Sequence, residues 1–326
     1  MSGDAAGTGS PSSNVDSTSA AGTDTNNTNS PPPDVGSAPI DDPADVILRG
    51  ECASTSRLGG FLVDSGESFA AVSGDAADVI NPVATLEEVM VDGSCRLLRP
   101  IQPFCDPPCS GGELCNLDET CITAPTSQDL GTVSVLGLVQ GVVMEPAVPG
   151  NNYFDTTLPV PGFDANAVVQ LVSTDGYYGE LSLYGVGSEQ LAGIEELEIP
   201  ETGGLDVVWD PPAGTSYATV RFILSIDQHG VTPAQAVCDF EDTGTGSVSA
   251  EMIDALRGAG ISGFPNSSLS RHTLDAMDVD GGCVDLDVAS RRKVTITVDG
   301  HVPCMLDPQC PDGEVCNMMT QTCVPR

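Results

Sequence analysis

Basic residues are scarce in this sequence. Its 326 residues include 47 Asp and Glu but 11 Lys and Arg, and Lys293 is the sole lysine, so the formal net charge at pH 7 is −36. Nucleic-acid binding depends on clustered Lys and Arg side chains that neutralise phosphates. The composition therefore excludes DNA and RNA as expected partners.

Long apolar runs and aromatic residues are also lacking. The longest apolar stretches, such as Thr132 to Met144, are interrupted by Ser and Gly and fall short of the roughly 20 residues that a membrane helix needs. Aromatic residues make up 4% of the chain, whereas Gly (36 residues) and Pro (25 residues) are abundant. These features predict no membrane span and favour an all-β fold of short strands and turns.

Cysteine is plentiful, and eight of the twelve cysteines form a repeated module. Both copies read Asp-Pro-x-Cys-x-x-Gly-Glu-Leu/Val-Cys-Asn and then Thr-Cys-Ile/Val. Evenly spaced cysteines in so short a segment indicate a disulfide knob, because zinc ligands usually come as two well separated pairs. Of the three connectivities that four cysteines allow, we predict the one–three, two–four pattern: Cys105–Cys115 and Cys109–Cys121, then Cys304–Cys316 and Cys310–Cys323.

Four cysteines remain outside the knobs, two in each predicted β domain. We predict that Cys52 pairs with Cys95 and Cys238 with Cys283, since each pair would then close one β domain. So many cysteines in an acidic chain indicate an oxidising, extracellular compartment.

The chain divides into five predicted segments. The first is a Ser/Thr/Gly/Pro/Asp-rich stalk that cannot bury a core and is expected to be disordered. Short apolar runs separated by turns predict a small β domain and then a larger β-sandwich, each followed by a knob. The boundaries are residues 1–44 for the stalk, 45–101 and 125–302 for the β domains, and 102–124 and 303–326 for the knobs.

Within the larger domain, Val220, Phe222, Leu224 and Ile226 alternate with more polar residues, as in a strand buried on one face. Trp209 is expected to pack against that face. One helix is predicted, capped by Ser249, with Met252, Ile253 and Leu256 on its buried side and Gly258 and Gly260 at its end.

Three resemblances accompany these patterns. The segment Asp206–Pro212 followed by Tyr217 is similar to the second and third strands of fibronectin type III and immunoglobulin-like domains, which implies a sandwich. The knobs resemble the Cys-x-x-Gly-x-x-Cys units of secreted proteins, such as EGF-like and Dickkopf-type N-terminal modules. The Ser/Gly/Asp-rich leader resembles the spacer of a mature bacterial lipoprotein, which implies an N-terminal lipid anchor at the position of Met1.

Motifs that suggest catalysis fit poorly. Asp64-Ser65-Gly66 and Asp242-Thr243-Gly244 match the turns that supply the two carboxylates of aspartic proteases, but 84 residues after Asp242 leave no room for a second lobe. Gly258–Gly263 matches a dinucleotide-binding loop, yet it follows a predicted helix instead of opening one. The histidines His229, His272 and His301 lie in no recognised catalytic setting.

The acidic residues Asp278, Asp280, Asp285 and Asp287 are weak candidate ligands for calcium, because their spacing does not match an EF-hand. We expect no other metal and no cofactor. The sequence thus predicts a non-enzymatic, exported, surface-anchored protein with a structural or adhesive role toward surface proteins or glycans. The alternative is a secreted hydrolase of unrecognised type.

Overall fold

The computed structural model describes residues 40–194, 196–227 and 234–326. Strands predominate in these ranges, so the all-β expectation is confirmed. Residues 1–39, most of the predicted stalk, lie outside the described residues, as does His229. None of the described helices is long and apolar enough to cross a membrane.

The first half of the described chain contains eleven strands. They are β1 (Arg57–Ser65), β2 (Ala70–Ala76), β3 (Leu86–Asp92), β4 (Cys95–Pro100), β5 (Glu113–Cys115), β6 (Cys121–Thr123), β7 (Gly131–Leu136), β8 (Val142–Met144), β9 (Tyr153–Asp155), β10 (Val168–Gly176) and β11 (Gly179–Val186). A single-turn 3₁₀-helix, Pro43–Asp45, precedes them.

The second half adds ten strands and the helix. They are β12 (Leu197–Ile199), β13 (Leu205–Val208), β14 (Thr219–Ser225), β15 (Gln235–Glu241), β16 (Thr245–Val248), α1 (Ala250–Ala259), β17 (Asn266–Val279), β18 (Gly282–Val294), β19 (Ile296–Val298), β20 (Glu314–Asn317) and β21 (Thr322–Pro325). A short 3₁₀-helix, Asp307–Gln309, precedes β20.

Nine strands form one large sheet in the order β3-β4-β15-β14-β17-β18-β1-β2-β9. The prediction of a separate small β domain at residues 45–101 is therefore wrong. Of its four strands, β1 pairs with β18 and β4 pairs with β15. Strand β2 lies next to β1, and β3 lies next to β4. The physical reason is burial: about 50 residues cannot enclose a core alone, so these strands bury their apolar faces in a sheet shared with the later strands.

Apolar side chains project from one face of the large sheet, and both hydrophobic cores lie there. Phe222 and Leu224 of β14 belong to the first core, beneath α1 and the short strands β12, β13, β16 and β19. Leu286 and Val288 of β18 belong to the second core, against the four-stranded sheet β11-β10-β7-β8. This second part is a sandwich-like pair of layers.

The predicted environment of Trp209 and the predicted helix are both confirmed. Trp209 is 2% exposed, shares the first core with Phe222, and stacks on Phe240 with 6.0 Å between ring centroids. In α1 the Ser249 hydroxyl accepts a hydrogen bond from the Met252 N–H at 3.1 Å. The helix ends at Gly260, whose φ of +125° suits a residue without a Cβ atom.

The opposite face of the large sheet is concave. Strands β2 and β3 are eighth and first in the sheet, yet residues 77–85 join them directly. One hollow is lined by Asp75 of β2 and Leu86 of β3 together, and the Ser54 hydroxyl donates a hydrogen bond to the Leu86 carbonyl oxygen at 2.8 Å. The sheet therefore curls around the segment 51–57, and we call the enclosed side the concave face.

All six disulfides lie within the described residues. The prediction that Cys52 pairs with Cys95 and Cys238 with Cys283 is wrong, because the structure joins Cys52 to Cys283 and Cys95 to Cys238. The first bond joins the segment before β1 to β18, and the second joins β4 to β15, so both connect early and late parts of the chain. The four knob bonds have the predicted pairing, and each knob is a two-stranded hairpin, β5–β6 or β20–β21.

Candidate functional site

Ionised side chains lie in a row across the concave face. Arg221 of β14 donates two hydrogen bonds to Asp239 of β15, at 2.7 and 2.9 Å, and one to Glu51 at 2.9 Å. Arg96 of β4 contacts both acids, Glu51 at 2.8 Å and Asp239 at 3.2 Å. Two arginines and two carboxylates thus neutralise one another at this end of the row.

His272 of β17 occupies the centre of the row. Its side chain is 1% exposed; Nε2 lies 3.7 Å from an Asp239 carboxylate oxygen, and Nδ1 lies 3.3 Å from an Asp287 oxygen. Neither ring nitrogen has a hydrogen-bond partner of good geometry. The imidazole is therefore held between two carboxylates by charge more than by hydrogen bonding.

The electrostatic surroundings favour the charged imidazolium. Burial lowers the pKa of His272, but the contacts with Asp239 and Asp287 raise it more, so the pKa lies above its ordinary value of 6.5. Burial raises the pKa of Asp239, but the contacts with His272 and Arg221 lower it by more. The pKa of Asp239 is therefore well below its ordinary value. Both shifts favour the charged forms of the two side chains.

Asp64 of β1 lies further along the same face. The register places it beside Ala289 of β18, which in turn lies beside His272, so the small Ala side chain separates the two polar groups. Asp64 contacts Arg291 at 3.5 Å, and its Oδ1 has no hydrogen-bond partner. The pKa of Asp64 lies above its ordinary value, because burial raises it more than the Arg291 charge lowers it. The Asp287 charge raises it further.

Asp242, the second candidate catalytic carboxylate, lies among the core elements on the other side of the sheet. It accepts hydrogen bonds from Trp209 Nε1 at 2.9 Å, the Ser216 hydroxyl at 2.8 Å and Arg271 Nε at 2.8 Å. Asp64 projects from the concave face. Asp242 instead binds Arg271, which projects from the opposite face, where the cores lie. The structure does not bring the two carboxylates together as a dyad.

The four candidate calcium ligands do not converge either. Asp285 forms two hydrogen bonds with Arg57, at 2.8 and 2.9 Å, and Asp287 lies against His272. Asp278 and Asp280 lie at the tip of the β17–β18 hairpin, several residues away along the strands. Two of the four carboxylates therefore already face cations of the protein.

The knob cysteines bring sulfur atoms close together, as a metal site would. Three sulfurs in each knob lie within 4.8 Å of one another: those of Cys105, Cys109 and Cys121, and those of Cys304, Cys310 and Cys316. Each of them is bonded to another sulfur, so no thiolate is left to bind a metal.

Open hollows flank the ionic row at both ends. One, of about 370 Å³, lies beside Arg96 and Arg221. Another, of about 310 Å³, lies over the centre of the row, where His272, Asp239 and Tyr217 line it. A third, of about 340 Å³, lies beyond Asp64 at the far end. The concave face thus combines rigid charge pairing with cavities of small-ligand size.

Sequence reasoning named His272 without a role and did not single out Arg221 or Asp239. Strand β17 carries Ser268, Ser270 and His272 at every second position, a period-two pattern of polar residues. That pattern could have indicated a strand with a polar buried face. It was missed because strand prediction relies on apolar alternation.

Replacing His272 with Gln should make the stability of the protein less dependent on pH. The folded-state pKa of His272 is raised, so its stabilising charge is fully present below pH 6.5 and is lost as the pH rises through the folded-state pKa. Urea unfolding of the wild type and His272→Gln between pH 6 and pH 10 measures this. The difference in unfolding free energy should shrink with rising pH, and a difference that grows would contradict the assignment.

The fold and the concave face together define a disulfide-rich all-β protein. No protein-family model matches the chain, and no curated protein matches it. Among solved structures, the FN1–FN3 domains of chicken CNTN1 are 6% identical, with 69% of this chain and 79% of that chain covered and a TM-score of 0.19. A TM-score this low supports no argument about fold or function.

Proposed function

We propose that this protein is exported, anchored at a cell surface, and acts as a non-enzymatic binding protein that adheres to surface glycans or proteins. The observation that carries the proposal is the concave face, where hollows border charged side chains that neutralise one another. Such pairing holds charged side chains in fixed positions beside the hollows, which suits recognition of a ligand.

The disulfides support export. Structural disulfides persist in oxidising compartments, and all twelve cysteines of this chain are paired. The knobs also expose large apolar side chains, including Phe104 at 76% and Met319 at 86%. These side chains are available for contacts with another macromolecule.

Anchoring rests on the sequence of the leader. Its resemblance to a lipoprotein spacer supports a stalk that would hold the β body away from a membrane surface. A mature protein carrying an N-terminal acylated cysteine, detected by mass spectrometry of the native material, would support this part of the proposal. An unmodified N-terminus in secreted material would contradict it.

Affinity electrophoresis tests the binding activity. The oxidised protein should be retarded in gels that contain one or more of a panel of neutral and acidic polysaccharides, and the same panel should release no reducing ends after prolonged incubation. Release of reducing ends, or of peptides from a casein substrate, would favour the alternative of a secreted hydrolase. Unaltered mobility with every polysaccharide would contradict glycan binding.

A further inference from the structure

The hollow at the far end of the ionic row has an unusual lining for so acidic a protein. Arg291 and Lys293 project into it from β18, and Ser268 lies on the neighbouring strand β17. Ser268 is directly opposite Lys293 in the register, and Ser270 is opposite Arg291. Two cations and the Ser268 hydroxyl therefore line the hollow from adjacent strands.

The cations of this hollow are incompletely neutralised. Lys293 is exposed and forms no ion pair within the described ranges. Arg291 lies at the long distance of 3.5 Å from Asp64. The one carboxylate that lines the hollow, Glu67, is paired with Arg292 at 3.2 Å, and Arg292 also donates a hydrogen bond to the Leu191 carbonyl oxygen at 3.2 Å. An arriving anion would find the Lys293 ammonium free and part of the Arg291 guanidinium accessible.

An aromatic ring forms the opposite wall. Phe69 follows the β1–β2 turn, is 51% exposed, and lines the hollow with Ser68. The ring packs directly against Gly66, where any added Cβ atom would collide with it. The Gly66 N–H donates a hydrogen bond to the Phe69 carbonyl oxygen at 2.9 Å, which fixes the turn. A half-exposed aromatic ring thus lines the same hollow as the two cations.

We propose that this hollow binds an acidic sugar residue of a glycan, with its carboxylate on Lys293 and Arg291 and its ring against Phe69. The hollow, about 340 Å³, has the volume of a small-ligand site. Guanidinium and ammonium groups suit a carboxylate, the Ser and Asn266 side chains suit sugar hydroxyls, and an exposed ring suits the C–H face of a sugar. The proposal rests on the glycan-binding function proposed above and names its ligand class.

A peptide with acidic side chains presents the same carboxylate. The sugar is favoured because the half-exposed Phe69 ring suits the C–H face of a sugar, and the Ser268 and Asn266 side chains in the same hollow suit its hydroxyls. The test therefore includes an acidic peptide as a competing ligand.

Isothermal titration calorimetry with a defined oligouronate of three residues tests the proposal. Lys293→Gln should weaken binding about tenfold to a hundredfold, the effect of losing one charge-assisted hydrogen bond. Phe69→Leu, which keeps an apolar side chain but removes the ring, should weaken it about threefold to tenfold. Arg326→Gln is the matched control: it removes one positive charge from the exposed C-terminus and should leave the affinity unchanged.

Ligand controls separate this proposal from the broader one. The methyl ester of the same oligouronate, which lacks the negative charge, should bind the wild type no better than the acid binds Lys293→Gln. Equal affinities for Lys293→Gln and Arg326→Gln, or tighter binding of a Glu-rich peptide than of the oligouronate, would overturn the assignment. Retardation of Lys293→Gln by a neutral polysaccharide would show that glycan binding survives elsewhere on the protein.

Discussion

Asp242→Asn should lower the free energy of unfolding by about 3–5 kcal/mol, because it leaves the buried Arg271 guanidinium without its counter-charge. The side chains of Asp242 and Arg271 are each 2% exposed. The amide of Asn keeps the size of the carboxylate and removes its charge. Equilibrium urea unfolding, followed by the fluorescence of Trp209, whose indole N–H donates to Asp242, measures the effect.

Two comparisons isolate the charge effect. Glu87→Gln breaks the half-exposed pair between Glu87 and Arg99, where a loss of at most about 1 kcal/mol is expected. The double variant Asp242→Asn/Arg271→Met removes both buried charges, so it should be less destabilised than the sum of its single variants. If Asp242→Asn lowers the free energy of unfolding no more than Glu87→Gln does, the Asp242–Arg271 pair is not buried as described.

Removing the Cys52–Cys283 disulfide with two alanines should cost about 5 kcal/mol, the largest effect we expect from any bond in the chain. The bond spans 231 residues, and the stabilisation from loop entropy grows with the logarithm of that separation. The substitution should lower the urea midpoint of the whole sheet, since Cys283 lies at the start of β18 beside β1.

The first knob supplies the control for this measurement. Its Cys105–Cys115 bond spans 10 residues, so its removal should cost about 3 kcal/mol on the same relation. That loss should be confined to the β5–β6 hairpin and should leave the main unfolding transition in place. A common shift of the main transition by both substitutions would contradict the separation of knob and sheet.

Local patterns in the sequence predicted local structure well. The knob pairing, α1 and the burial of Trp209 all depend on residues within about 25 positions of one another or on a clear apolar alternation. Strand β14 was visible for the same reason, because Val220, Phe222 and Leu224 point to one face.

Long-range pairing was not predictable in the same way. Nothing in β1 or β4 indicates that their neighbours are β18 and β15, so the domain boundary and the Cys52 and Cys95 bonds were assigned wrongly. Strand β17 was missed because its residues are polar on the concave face and include Arg271 and Asp275 on the other. Each charge has a partner supplied by a distant element, and one sequence cannot reveal such partners.

The parallel pairing of β1 with β18 has a consequence for biosynthesis. Arg57 pairs with Cys283, and Ser65 pairs with Ser290. Strand β1 can therefore pair with β18 only after residues more than 200 positions later have been synthesised. A chain emerging from the ribosome cannot complete this sheet in order from its N-terminus, and contacts so distant in sequence make folding slow. The large sheet can therefore be completed only after nearly all of the chain has been made, whereas the β11-β10-β7-β8 sheet and the first knob use residues that are close in sequence.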